Sequence, residues 1–341
     1  MHPLPSHAPL TRRRLLAPLS LLPLAGCASG TVPAGAGAPV AALFAGRIDD
    51  GGFMQAGYEG LVQARDRWGL AIRYRDGVPP QTEALAVALR QLAVDGPALV
   101  IAHGGQNNAA AEQVAAAFPA VRFVVTQGSV TGPNLSSYEV LQEQSAWLAG
   151  ALAGLTTRTG VVGHMSGIRV RPGLKGRAAY AEGVRTANPR ARLLTNFSGN
   201  QDDNALSERI ALAQIDAGAD VIFTMLNAGR QGAIDACRRR GVRQIGNVGD
   251  WTQRDPTVFV GSAVADVGQA VRQAAGDVAE GRWKPGVVRQ LGLADPGAVR
   301  LALAPDVPAA VRDRLAAYAQ AIASGAQSVP EDYRGPEFAA P

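Results

Sequence analysis

Short apolar runs alternate with amphipathic stretches from residue 40 onwards, and this alternation predicts strands that alternate with helices. The runs have the length of buried strands, and the stretches between them carry apolar residues at helical spacing. In the first half we predict strands at 40–45, 71–74, 98–101 and 121–125, and helices at 54–68, 82–94 and 108–118. Such an order implies a parallel sheet covered by helices on both faces.

A second series of the same kind begins at residue 142. Its predicted helices are 142–155, 175–187, 204–217, 229–240, 266–280 and 309–322, and its predicted strands are 160–163, 192–195, 220–223, 243–246, 258–261 and 301–303. About 300 residues exceed the usual size of a single hydrophobic core, so we predict two α/β lobes.

Two segments predict how the lobes connect. Residues 135–139 read as an exposed strand that leaves the first lobe, and residues 287–303 read as strands that cross back. Several crossings would form a multi-strand hinge, with a ligand cleft beyond the carboxyl ends of the strands. The predicted boundaries are 39–140 plus about 256–290 for the first lobe and 141–255 plus about 291–330 for the second.

Residues 1–26 have the features of a signal peptide. They carry three arginines and no acidic residue, followed by an apolar run much shorter than the ~20 residues needed to span a bilayer. Leu-Ala-Gly-Cys at the end of the run resembles the bacterial lipobox, in which the cysteine is acylated. We expect lipidation at Cys27, a flexible tether at 27–38, and a lipid-anchored location at the cell envelope, facing the periplasm or the cell exterior. The alternative is an ordinary secretory signal with a chance cysteine, and residues 11–16 also resemble a twin-arginine signal.

The charge balance changes once the predicted signal peptide is removed. Loss of its three arginines lowers the formal net charge from +5 to +2. A nearly neutral body gives no electrostatic reason to expect a nucleic acid polymer as a partner. The other cysteine, Cys237, would then have no partner for an intrachain disulfide, and we expect it to be a small buried residue on a helix.

Polar and aromatic residues follow the predicted strands of the first half. Asp50 and Phe53 come after the first strand, among glycines that permit close approach. Asp50 could accept a hydrogen bond from a ligand and Phe53 could stack on a flat ring, whereas the alternatives are a helix N-cap and a core contact. His103 and Gln127 follow the third and fourth strands. His103 could equally be a structural histidine.

The same residue types follow the strands of the second half, where we single out Phe197, Asn227, Asp250 and Trp251. An aromatic side chain from each lobe, together with amide and carboxylate groups, would clamp a planar, polar, uncharged ligand. Caps and turns favour the same polar residue types, which is the alternative for each residue taken alone.

Enzyme chemistry finds little support in the sequence. Of the four histidines, His2 and His7 leave with the predicted signal peptide, and His103 and His164 do not have metal-ligand spacing. Neither a G-x-S-x-G elbow nor a phosphate-binding glycine motif is present. We therefore expect no enzyme activity, no cofactor and no metal.

The strand-end residues, in this order after a lipobox-like segment, resemble the basic membrane protein family. These are bacterial substrate-binding lipoproteins of ABC importers, related to purine nucleoside receptors. The resemblance covers residues 40 to about 290 and rests on 48–53 with Glu59-Gly60, Tyr138-Glu139 with Gly150, 160–163, 218–222, and 245–246 with Asp250. It implies the type I periplasmic-binding-protein fold, with two Rossmann-like lobes joined by a multi-strand hinge.

The chain departs from that family at three places. Met54 stands where the family usually has asparagine, Gln127 follows Thr126 where the nucleoside receptors often place aspartate, and no lysine lies near Ser262. The resemblance therefore carries over Asp50, Phe53 and Asp250 as ligand-binding residues, but not the recognition of ribose.

The resemblance implies a receptor for a purine-like base or nucleoside that delivers its ligand to an ABC permease. Phe53 and a second-lobe aromatic residue would stack on the ligand, while Asp50, Gln127, Asn227 and Asp250 would contact its polar edge. The alternatives are a receptor of the same fold for a sugar or another small polar ligand, and a ligand sensor for a membrane signalling protein.

Overall fold

The computed structural model describes residues 39–339, which form two α/β lobes, each built on one six-stranded sheet. This confirms the predicted fold class. The predicted signal peptide, Cys27 and the tether lie outside the described residues.

The first lobe contains β1 (Val40–Phe44), α1 (Phe53–Trp68), β2 (Ile72–Arg75), α2 (Thr82–Ala93), β3 (Leu99–His103), a 3₁₀ turn (Gly105–Asn107), α3 (Asn108–Ala117), β4 (Phe123–Thr126) and β5 (Leu135–Val140). Two later elements, α8 (Val267–Ala279) and β11 (Val288–Leu291), complete it. The spatial order of the strands is β2-β1-β3-β4-β5-β11, and all of them run parallel.

The second lobe contains α4 (Gln142–Thr156), β6 (Val161–Ser166), α5 (Arg171–Ala187), β7 (Arg192–Phe197), α6 (Asn204–Asp216), β8 (Val221–Met225), α7 (Arg230–Arg240), β9 (Arg243–Val248), β10 (Phe259–Ala265), β12 (Val299–Leu303) and α9 (Ala309–Ala323). The spatial order is β12-β10-β9-β8-β6-β7, and only β12 runs antiparallel to its neighbour.

The chain passes between the two sheets three times, after β5, after β10 and after β11. The prediction that the first lobe resumes at about residue 256 is wrong for β10. Ser262 of that strand lies opposite Gly246 of β9 and Ala302 of β12, so the strand belongs to the second sheet. Only α8 and β11 return to the first lobe.

Strand β1 explains why the apolar runs in the sequence are continuous. Val40, Ala42 and Phe44 belong to one hydrophobic cluster and Ala41 and Leu43 to another, on the opposite face of the sheet. Since both faces are covered by helices, every position must be apolar.

The prediction that β5 is exposed is wrong, because all six of its residues are buried. Its polar side chains have partners: Ser136 Oγ donates to Lys284 O at 2.7 Å, Ser137 Oγ donates to Val130 O at 2.7 Å, and Tyr138 Oη donates to Asp277 Oδ2 at 2.9 Å. Burial raises the pKa of Tyr138 well above its ordinary value, so this phenol remains a donor.

Helices α1 and α8 pack closely enough to require glycine at their crossing. A Cβ atom added to Gly60 would overlap the backbone of Gly268, and one added to Gly268 would overlap the carbonyl oxygen of Ala56. This contact holds α8 on the first lobe, although α8 follows a strand of the second.

Candidate functional site

Loops that follow strand ends in the two lobes meet each other. Gly52 lies between β1 and α1, and Asn227 lies between β8 and α7. A Cβ atom added to Gly52 would be 2.6 Å from Asn227 Oδ1. Beside this contact, Arg230 Nη1 donates to Gly51 O at 3.4 Å. The loops thus border a cleft at the carboxyl ends of the strands, where open α/β sheets bind ligands.

The Asp50 carboxylate is occupied by the backbone of its own loop. It accepts hydrogen bonds from the N–H groups of Gly52 at 2.8 Å, Met54 at 3.1 Å and Gln55 at 3.1 Å. These donors lie at the start of α1, where N–H groups lack partners within the helix. Asp50 therefore orders the cleft loop and caps the N-terminus of α1, the role that the sequence offered as the alternative to ligand binding.

Phe53 presents a half-buried ring that is supported from behind by His103. The two rings stack with their centroids 4.3 Å apart. His103 Nε2 donates to Phe53 O at 3.0 Å and Nδ1 accepts from Thr126 Oγ1 at 2.7 Å, so both ring nitrogens have partners. Burial lowers the pKa of His103 to about 4 and keeps the ring neutral. His103 is thus a support for Phe53 rather than a ligand contact in this conformation.

Gln127 joins the ends of two strands instead of facing the Gly52–Asn227 contact. Its Nε2 donates to Val140 O at 3.0 Å, and its Oε1 accepts from Val140 N at 2.5 Å. It holds a positive φ of 53° and lines a small crevice at the hinge. Both polar atoms of its amide are therefore used by the backbone of Val140, where the chain first leaves the first lobe.

Phe197 lies between two arginines that pair with one glutamate, Glu337. The guanidinium carbons of Arg169 and Arg177 lie 4.7 and 4.8 Å from its ring centroid, and both arginines pair with Glu337. Glu337 belongs to residues 329–339, here called the C-terminal segment, which also donates from Phe338 N to Thr195 O of β7 at 2.7 Å. Phe197 therefore packs against this segment's partners.

Asp250 and Trp251 lie in the loop after β9. Asp250 Oδ1 accepts from Thr252 N at 3.1 Å and Thr252 Oγ1 at 2.6 Å, which shapes the loop. Trp251 donates from Nε1 to Asn247 O at 3.1 Å and from its backbone N to Ser262 Oγ at 2.9 Å. These bonds fix the orientation of the indole on the second lobe.

Arg230 is a cleft residue that the sequence did not predict. It is 3% exposed, and its guanidinium carbon lies 4.3 Å from the Trp251 ring centroid. Burial lowers its pKa to about 9; the charge of Arg254 lowers it further, and that of Asp50 opposes this. The available signal was an arginine two residues after Ala228 in a strand-end loop, but arginine is mostly exposed in proteins, so its position alone does not indicate burial.

A second unpredicted group of charges lies at the hinge. Lys175 of α5 is 4% exposed, and its Nζ lies 2.5 Å from Glu143 Oε1, 3.1 Å from Glu139 Oε1 and 3.0 Å from Glu331 Oε1. Glu139 is the residue before the last of β5, Glu143 is the second residue of α4, and Glu331 lies in the C-terminal segment. In this cluster, here called the hinge cluster, one ammonium group contacts carboxylates of both lobes and of the C-terminal segment.

The structure thus gathers part of the predicted site. The loop that carries Asp50 and Phe53 meets Asn227 through Gly52, and Arg230 links that loop to Trp251. Gln127 and Phe197 are engaged elsewhere. Within residues 39–339, no group of three or more His, Cys, Asp or Glu side chains is placed to hold a metal ion.

Two six-stranded α/β lobes joined by three crossings form the fold that periplasmic solute-binding proteins have. An ABC transporter system solute-binding protein from Aeropyrum pernix K1 shares this fold, with a TM-score of 0.76 and 21% identity over 87% of this chain and 95% of that chain. The chain belongs to the Bmp family, described as ABC transporter substrate-binding protein PnrA-like, whose model matches residues 38–332. This confirms the resemblance seen in the sequence. Members of this class bind solutes and are not enzymes.

Curated relatives carry names of several kinds. The transcriptional activator protein med of Bacillus subtilis is 24% identical over 73% of this chain and 77% of its own length. A purine-binding protein of Brucella abortus is 25% identical over 50% of this chain, and this chain spans about half of its length, 49%.

Proposed function

We propose that this chain is the extracytoplasmic solute-binding lipoprotein of an ABC importer and that it binds a purine-like nucleobase or nucleoside between its lobes. The observation that carries the proposal is the meeting of Gly52 and Asn227, which brings strand-end loops of both lobes to one cleft. Substrate-binding proteins of ABC importers act outside the cytoplasm. Ligand binding would stabilise the closed arrangement of lobes, which the permease would then recognise.

Two observations favour a purine-like ligand: the flat aromatic surface of Phe53 at the cleft and the name of one relative. The Phe53 ring is backed by a neutral, hydrogen-bonded histidine, so one ring face is held rigidly. Rigid aromatic faces favour planar ligands. The Brucella relative is named a purine-binding protein.

The roles of the site residues follow from their partners. Phe53 stacks on the ligand, and Asn227 and Trp251 contact it from the second lobe. Asp50, His103, Gln127 and Asp250 use their polar atoms within the protein and position the loops. Phe197 faces Arg169 and Arg177, which pair with Glu337 of the C-terminal segment, and it contributes only if that segment moves.

The lipid anchor is proposed from the sequence alone. In residues 39–339, no helix combines the length and apolar character that crossing a bilayer requires. Acylation of Cys27 would keep the two lobes near a membrane permease. Expression of Cys27→Ser in the native host should move the protein from the membrane fraction to the soluble one; continued sedimentation with membranes would refute the anchor.

Isothermal titration calorimetry with nucleobases, nucleosides, sugars and amino acids tests the ligand. We expect binding of purines, weakened at least tenfold in Phe53→Leu, which keeps an apolar side chain but loses the aromatic face. Phe118→Leu is the matched control, because Phe118 packs beside α3 at the opposite end of the first sheet. Binding of sugars or amino acids alone would refute the purine proposal and favour the same-fold alternative.

A further inference from the structure

Arg230 occupies an unusual position for a charged residue. It begins α7 directly after the loop that carries Asn227, its side chain is buried, and its guanidinium lies against Trp251 on one side and reaches Gly51 of the other lobe. A charge that is removed from water is costly unless it is paired and fully hydrogen-bonded.

The hydrogen bonds of Arg230 leave donors without partners. Nη2 donates to Leu226 O and, at 2.7 Å, to Asn247 Oδ1, and Nη1 makes the long bond to Gly51 O. Nε is buried and has no partner. A guanidinium has five N–H groups, so two of them are unused. Within residues 39–339, its acceptors are carbonyl and amide oxygens, and no carboxylate pairs with it.

One unused N–H group belongs to Nη1, which lies at the border between the lobes because it also donates to Gly51 O, and the other belongs to the buried Nε of the same guanidinium. With a pKa of about 9, the group stays protonated at neutral pH and cannot accept a hydrogen bond. A ligand that presents acceptors there would complete its hydrogen bonding, whereas a ligand that presents an N–H group would set a donor against a donor.

On the basis of the proposed function, we propose that Arg230 selects purines with an oxygen at position 6 over purines with an amino group there. Oxopurines such as hypoxanthine and guanine present two acceptors, O6 and N7, along one edge, and arginine is the usual protein partner of that edge. Adenine presents N7 together with the N6 amino donor, and its usual partners are asparagine and glutamine.

Calorimetry of the full-length mature protein with hypoxanthine and with adenine tests this selection without any mutation. We expect hypoxanthine to bind roughly tenfold or more tightly than adenine, the discrimination typical of one good edge contact. Equal affinities, or tighter binding of adenine, would overturn the role of Arg230 and leave the purine proposal standing. Absence of binding to any purine would overturn both.

Arg230→Gln then assigns the preference to this side chain. Glutamine offers both N–H donors and an acceptor oxygen, so the variant should lose most of the hypoxanthine preference and bind adenine as well as or better than the native protein. Arg254→Gln is the matched control, because Arg254 also lies on Trp251, at 4.6 Å, but is exposed. An unchanged ratio of affinities in folded Arg230→Gln, or an equal loss in Arg254→Gln, would overturn the proposal.

Discussion

Replacement of Lys175 with methionine removes the positive charge at the centre of the hinge cluster. Methionine has a similar length and fills the same buried space, so the change is mainly electrostatic. Glu139 and Glu143, whose side chains are each 8% exposed, would then lie close together without their ammonium partner. Arg171 remains 3.2 Å from Glu139 and compensates part of the loss.

The size of the effect follows from burial. Removal of one partner from a buried ion pair typically costs about 3–5 kcal/mol, because the remaining charge stays desolvated. Loss of the contact with Glu331 adds at most about 1 kcal/mol to this cost, since the Glu331 side chain is 52% exposed and its charge is screened by water. Because Arg171 stays in place, we expect the free energy of unfolding to fall by about 3 kcal/mol near neutral pH.

The loss of unfolding free energy in Lys175→Met should become smaller as the pH is lowered. Burial raises the pKa of Glu143 above its ordinary value of 4.5, and the charge of Lys175 and its hydrogen bond oppose this. A carboxyl whose pKa is raised on folding costs stability as pH rises through its folded pKa, and this cost disappears below the ordinary pKa. Without Lys175 the cost grows, so the deficit of Lys175→Met should be largest near pH 7 and shrink towards pH 4.5. Burial lowers the pKa of Lys175, but Glu143, Glu139 and Glu331 together outweigh it and hold that pKa above its ordinary value, so Lys175 stays protonated throughout.

Urea unfolding followed by circular dichroism at several pH values measures both effects. The matched control is Lys284→Met, since Lys284 is the chain's only other lysine and is exposed. It should change the free energy of unfolding by no more than about 0.5 kcal/mol. A deficit below about 1 kcal/mol for Lys175→Met near pH 7, or one that stays constant on acidification, would show that the hinge cluster is not held by buried charge.

Three further changes test local contacts. Gly60→Ala should lower the free energy of unfolding by about 1–3 kcal/mol, because the new methyl group meets the backbone of Gly268; an unchanged urea midpoint would contradict the close helix crossing. Asp50→Ala should lower the free energy of unfolding by about 1 kcal/mol, because the N–H groups at the start of α1 lose the carboxylate that accepts their hydrogen bonds. Asp50→Asn keeps one acceptor oxygen and should lower it less, and thermal unfolding measures both changes. Glu337→Gln should release the C-terminal segment from Arg177 and speed its cleavage in limited proteolysis; an unchanged cleavage rate would argue against that attachment.

The strands were predictable because the requirement on each of them is local. A strand such as Val40–Phe44 is buried on both faces, so five successive apolar residues identify it without knowledge of its neighbours. The placement of β10 was not predictable in this way, since its pairing with β9 and β12 depends on contacts made far along the chain. The burial of β5 was not predictable for a related reason. Its serines and tyrosine are polar residue types, and they can be buried only because distant residues accept their hydrogen bonds.

The cleft loops were predictable by position, but the direction of their polar atoms was not. Residue type indicates that Asp50 and Gln127 can accept hydrogen bonds, yet backbone N–H groups within the first lobe reach both side chains. Such short-range partners compete with a ligand for the same atoms, and they are available before any ligand arrives. A sequence motif therefore predicts which loop borders the cleft better than it predicts which side chains contact the ligand.

This difference reverses the expected chemistry of the cleft. The predicted site was dominated by carboxylate and amide groups, which would accept hydrogen bonds from a ligand. In the structure the Asp50 carboxylate is satisfied, and the buried group with unused capacity is the Arg230 guanidinium, which can only donate. Because a buried donor without a partner costs free energy, the ligand that gains most from this cleft is one that brings acceptors to it. Ligand preference is thus expected to follow the unsatisfied group rather than the motif that surrounds it.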